Sequence, residues 1–356
     1  MEIDGGDRIA LLRAGRQEMR RADDCLRIGL ATLAIIACAT LLHTSGARAG
    51  TQPLVLERTI PLPHVFGRID HMAIDLARKR LIIAELGNGS VDVIDLGSGA
   101  LVHRFDGIKQ PQGLVYLPGP DLILVASGGD GSLEFYGGGD FSHRGSVPLG
   151  EDADNIRIDP GNQIAIVAYG NGGLAIVDTA HQALRRSIAL PAHPEAFQLD
   201  PHGSRVYVNI PDAKQLAVVD LASGRQVAKW QVPGLAENFP LAIDATGAEL
   251  AVVFRSPPRL VLLDSRSGKV LGRTPTCTDA DDASFDDSRK RIYVSCGEGV
   301  VDVFGQSAAG TRHIARIPTL AGARTSLFVP ELDRLFVAAR AGELGTDAAI
   351  LVFRPE

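Results

Sequence analysis

Residues 199–224 read LDPHGSRVYVNIPDAKQLAVVDLASG. A strand closes on Asp200-Pro201, a turn follows, and Val206-Tyr207-Val208 builds a second strand. A loop around Pro211-Asp212 leads to a third strand ending at Asp220, and a tight turn ends at Gly224. β-Branched and aromatic residues fill the strand positions, while Pro, Gly, Asp and Ser punctuate them. The stretch is one module, and the rest of the chain repeats it.

The strand-end aspartate recurs as Asp75, Asp159, Asp200, Asp244 and Asp286, at gaps of 84, 41, 44 and 42. A second aspartate closes the third strand of each unit: Asp95, Asp178, Asp220 and Asp264, at gaps of 83, 42 and 44. Two independent registers with one period of about 42 residues identify a repeat architecture. The second aspartate opens a D-x-x-S-G turn three times, at 95–99, 220–224 and 264–268. Asp bonds its own turn there and Gly takes the left-handed position. A fourth strand follows each turn, as in ALRRSIAL and QVAKWQV. Four antiparallel strands per unit make a blade of a β-propeller.

Units begin near Ile69, Gly113, Asn155, Ala196, Pro240, Ala283 and Ser326. The second is degenerate, with Gly137 to Gly139 in place of the aspartate turn. The seventh stops after three strands, at ILVFRPE. Its missing strand is supplied by LVLERTIPL (54–62), whose RTIPLP echoes RSIALP (186–191). Pairing the two termini removes the open edges of a linear array. The expectation is an all-β, seven-bladed propeller in one domain, residues 50–356.

The first 49 residues read differently. Arginines precede an apolar run of 15 residues (28–42), and Ala47-Arg48-Ala49 fits a small-residue cleavage site. This pattern predicts a signal peptide over 1–49, with Met19 as an alternative start, and hence a periplasmic or secreted protein. The run is short of the ~20 residues of a spanning helix, so no stable membrane span is expected. Ile35-Ile36-Ala37-Cys38 resembles a lipoprotein box, and lipidation at Cys38 is the alternative. Removing the leader takes 7 of 36 basic and 6 of 42 acidic side chains, leaving 29 and 36, a net −7. That balance argues against nucleic acid as partner. Two cysteines remain, Cys277 and Cys296, as a disulfide or two free thiols. A monomer is expected.

VYVN (206–209) and IYVS (292–295), with the VVDLASG turn, resemble the YVTN-repeat signature of YncE-like bacterial β-propellers. The resemblance covers residues 53–356 and implies fold and export. Segments such as GRIDHMAID, HPEAFQLD and GARTSLFVPELDRLFVA look like one exported branch of that group, which carries no established activity to transfer.

In a propeller, residues leading into each innermost strand converge on one mouth of the central channel. The seven lead-in segments contain Arg68, Asp70 and His71; Gln112; Asp152, Asp154 and Asn155; His193 and Glu195; Glu237 and Asn238; Asp281 and Asp282; and Arg324. The blades stop resembling one another there, and nothing in the repeat demands these polar groups. They predict a small-molecule or peptide site at the mouth of a binding or scaffold protein. One alternative is a hard divalent cation such as Ca²⁺, held by Asp154, Asn155, Glu195 or Asp282, or by Asn238. That cation would serve a lactonase-like hydrolysis with no catalytic residue assigned. Another alternative is a structural plug or a module for a protein partner. No G-x-S-x-G, H-E-x-x-H or C-x-x-C-H occurs, so serine hydrolase, zincin and c-haem readings find no support.

Overall fold

A computed structural model describes residues 52–159, 161, 163–342 and 347–356. The segment expected to be a signal peptide (1–49), with Met19 and Cys38, lies outside the described residues. Residues 51–356 form one compact unit. Seven four-stranded antiparallel sheets make the blades. Their innermost strands, blades 1 to 7 in order, are Met72–Asp75, Pro111–Leu117, Ala153–Ile158, Phe197–Leu199, Ala236–Ile243, Ala280–Asp286 and Thr325–Val329. Six sheets use consecutive strands. The seventh runs Thr325–Val329, Arg334–Ala339, Ala348–Pro355 and then Leu54–Leu62 on the outside. Leu54 pairs opposite Pro355 and Leu62 opposite Ala348, so the chain's early strand closes the ring as expected. Among the described residues, no helix is long and apolar enough to cross a membrane.

Burial follows strand position. In the second strand of blade 1, Arg80–Glu85, every residue after Arg80 is buried, because neighbouring blades cover both faces. In the outermost strand of blade 3, Ala183–Ala189, only Ile188 is buried. The core is accordingly a set of seven apolar seams, one between each pair of adjacent blades.

The repeated residues of the 199–224 stretch serve those seams. Asp220 Oδ1 accepts the Ser223 N–H at 2.7 Å, and Gly224 sits at φ +66°. Asp95 and Asp264 make the same bond to Ser98 and Ser267. Each turn seats a side chain from the outer strand of the preceding blade: Arg58 on Gly99, Arg186 on Gly224 and Trp230 on Gly268. A Cβ at those glycines would occupy the seat. Arg58 donates to Leu96 O at 2.9 Å and Ser98 O at 2.6 Å. Tyr207 OH reaches Ser265 O of the next blade at 2.9 Å, and Asn209 Nδ2 donates to Phe239 O and Pro240 O. In blade 6, Ser295 Oγ meets Ser326 Oγ of blade 7 at 2.8 Å. The repeat signature is thus a set of latches between blades. The degenerate blade 2 uses another: Arg78 bonds Asp75, Tyr116 and Asp121, and Gly138 lies against Tyr116 and Asp121 where a side chain would collide. Cys277 and Cys296 are joined in a disulfide with Cα atoms 6.0 Å apart.

Candidate functional site

Four lead-in segments share one backbone device. Gln110, Asp152, Glu237 and Asp279 adopt left-handed conformations, with φ of 52°, 42°, 61° and 54°. Carbonyls of three of them accept from Gly128, Gly170 and Gly297, at 2.9, 3.1 and 2.9 Å. A register shift follows in each innermost strand. A left-handed non-glycine residue costs energy, and a bulge re-aims the chain after it. Two residues on from the left-handed position stand Gln112, Asp154, Phe239 and Asp281, the last three lining a cleft of about 30 Å³ at the channel mouth.

The mouth has two unlike halves. On the side of blades 5, 6, 7 and 1, charges are paired. Arg255 meets Asp281 at 2.6 Å and lies 3.8 Å over the Phe239 ring. Arg324 meets Asp279 at 2.8 Å and Asp281 at 3.1 Å, and Arg68 meets Asp70 at 3.2 Å. Beside this network, Arg68, Arg324 and Arg340 line a pocket of about 120 Å³ with Asp279.

Facing that network, blades 1, 3 and 4 bring His71, Asp154, His193 and Glu195 together. Asp154 stands between two imidazoles, with His71 Nε2 4.0 Å from Oδ1 and His193 Nε2 3.9 Å from Oδ2. His193 Nδ1–H donates to Gly170 O at 2.6 Å, and Asp152 lies 3.7 Å from the same nitrogen. Asp154 and Glu195 make no hydrogen bond through their side chains among the described residues. The neighbouring Asp154 carboxylate, acting against burial, raises His193 to about 9. Burial, reinforced by Asp154, pushes Glu195 up to about 7.

Beneath the mouth the channel opens into a cavity of about 400 Å³, within the range of small-molecule sites. Its polar wall includes His71, Asn155, Arg157, Gln198, Asp282 and Ser326. Arg157 donates to Ile156 O at 2.8 Å, Asn155 Oδ1 at 3.3 Å and Gln198 Oε1 at 3.4 Å, all neutral acceptors. Among the described residues no carboxylate lies within ion-pair distance of it. Burial lowers its pKa from the usual arginine value. Asp282 accepts the Ser326 N–H at 2.7 Å, and burial pushes it up to about 7.

Among solved structures, the chain is similar to Kuenenia stuttgartiensis hydrazine synthase, with a TM-score of 0.70 and 17% identity over 81% of this chain and 97% of that one. At that identity the likeness is one of fold, a β-propeller. No protein-family model matches the sequence, and no curated protein matches it.

The expected residues are dispersed in role. Arg68, Asp70, His71, Asp154, Asn155, Glu195 and Asp281 line the mouth cleft together. Gln112 Nε2 bonds Asp152 at 3.0 Å on the rim, and Glu237 is exposed. Asn238 is turned into the wall between blades, bonding Asn209 and Gln215 at 2.9 Å each. Arg157 and Arg255 were outside the expected set. Arg255 ends an apolar run, LAVVF (250–254), and that interruption is its available signal; Arg157, in ADNIRI (153–158), has polar neighbours and carries none.

Proposed function

We propose that the protein binds a small anionic organic molecule, a carboxylate or phosphate, in its central channel. The observation that carries this reading is Arg157, a half-buried guanidinium facing a 400 Å³ cavity, hydrogen-bonded only to neutral oxygens and 5.5 Å from the Phe197 ring. A cation partly withdrawn from water gains from an anionic partner. Arginine presents a planar fork that matches carboxylate and phosphate. The arginine-lined pocket beside the mouth favours the same class of ligand. The paired half of the mouth acts as scaffold, which supports the plug reading for that half alone. The hydrolase alternative would first require a cation at the mouth. Export is part of the proposal, supported by the leader pattern and by the disulfide, as is kinship with YVTN-repeat propellers.

The test is a melting-temperature and calorimetric screen of mono- and dicarboxylates and phosphate esters against neutral isosteres. Acidic compounds are expected to stabilise the protein, by about 2.7 kcal/mol at a hundredfold excess over Kd. Arg157→Met, folded by circular dichroism, is expected to lose that response. Equal binding by the variant, or preference for the neutral isosteres, would overturn the reading.

A further inference from the structure

The side of the mouth holding Asp154, His193 and Glu195 has a second capacity, independent of anion binding in the channel. Asp154, His193 and Glu195 each offer one donor atom, and the three atoms lie within 4.8 Å of one another. The histidine is already oriented. Its Nδ1–H is committed to Gly170 O at 2.6 Å, so Nε2, 3.9 Å from Asp154 Oδ2, is the nitrogen a metal would take, displacing the proton it carries beside that carboxylate. Metal-binding histidines are held in this way, the second ring nitrogen donating to a carbonyl or carboxylate.

A separate observation points to a missing positive partner. Asp70 is 2% exposed, lines the same 30 Å³ cleft as Asp154 and Glu195, and its Oδ2 has no hydrogen-bond partner. A buried carboxylate oxygen normally has one. Arg68 reaches only Oδ1. The cleft has room for about one water-sized occupant.

We infer that Asp154, His193 and Glu195 bind one first-row divalent cation of the zinc class at the channel mouth. One imidazole and two carboxylates form a nitrogen–oxygen donor set that suits zinc and its neighbours. Calcium takes six to eight oxygens and has no use for the imidazole. Of the amides that could help, Asn155 Oδ1 accepts from Arg157, and Asn238 is turned into the blade wall and does not line the cleft. Ion–ligand bonds of about 2.0–2.2 Å set tetrahedral donors about 3.3–3.6 Å apart, so binding draws the most distant of the three closer by about an ångström. Three protein ligands leave a fourth coordination position for water or another ligand.

The experiment uses tag-free purified protein stripped with chelator, titrated with Zn²⁺ alone by calorimetry and counted by elemental analysis. One equivalent is expected, with Ca²⁺ bound at least about tenfold more weakly. Co²⁺ should give the visible absorption of a low-coordinate site. Glu195→Gln and Asp154→Asn should each weaken Zn²⁺ binding tenfold or more, while His202→Gln, on an exposed turn, leaves it unchanged. Melting curves matching stripped wild type establish that the variants are folded. No uptake of Zn²⁺, full uptake by both folded carboxylate variants, or preference for Ca²⁺ would each overturn the site. Because no organic ligand is present, failure here leaves the anion reading standing, and failure of the Arg157 test leaves this one standing.

Discussion

Asp282 illustrates what a channel wall does to a single carboxyl group. Burial pushes it up to about 7, and His71 offsets this only in part. Its folded pKa therefore exceeds the unfolded value near 3.9, and the neutral acid is the form the fold favours. Stability from this group is fullest below about pH 4, falls as pH rises to about 7, and is level above that, by at most about 4 kcal/mol. His71 works in the same direction. Burial opposes its charged form, but Asp70, Asp282 and Asp154 outweigh it and raise its pKa. Its contribution is present below 6.5 and lost as pH rises through the folded value. Asp282→Asn keeps an oxygen for the Ser326 N–H and removes the titration. Denaturation midpoints measured at pH 5 and pH 8 should converge in this variant compared with wild type. Parallel pH profiles would refute the assignment. Residues of this kind were only partly legible in the sequence. Asp154, His193 and Glu195 stood out because the repeat has no use for them. Arg157 did not, because only ring closure decides which face of an innermost strand meets the channel.

At the scale of one element, the lead-in segment of blade 6 is fixed from both ends. The Cys277–Cys296 bridge ties it to the end of the blade's second strand, and Gly297 N–H donates to Asp279 O at 2.9 Å. Asp279 and Asp281 are thereby held to receive Arg255 and Arg324. A bridge spanning 19 residues is worth about 3 kcal/mol in loop entropy. Replacing both cysteines by alanine should therefore lower the unfolding free energy in urea by about 2–4 kcal/mol. Reductant should reproduce the loss in wild type, and an unchanged midpoint would show that the bridge does not form in solution. The strands and D-x-x-S-G turns of this element could be read directly, since local propensity dictates them. The left-handed Asp279 and the bulge after it could not, because a strained backbone is imposed by its surroundings.

In the whole molecule, each blade owes its stability to two neighbours, because every apolar seam is shared between blades. A linear array of repeats has two ends, each with one unsatisfied face. Here the ends are joined by Leu54–Leu62, which pairs along the full length of Ala348–Pro355. That strand buries Ile60 and Leu62 in the seam between blades 7 and 1 and sends Arg58 onto the blade 1 turn. Burying an aliphatic side chain contributes about 1.5–3 kcal/mol, so the strand supplies several kcal/mol at the one junction not made by chain continuity. Deleting it also leaves Ala348–Pro355 as an open edge, a template for aggregation. A chain beginning after Leu62 should melt many degrees lower than wild type and self-associate. Ile60→Ala alone should cost about 2–5 kcal/mol without association. A synthetic peptide of residues 53–63, added in excess, should restore much of the lost midpoint by re-forming the seventh sheet. Restoration would be read as a concentration-dependent rise in melting temperature. A truncated chain that melts like wild type would show that the ring does not depend on its closing strand.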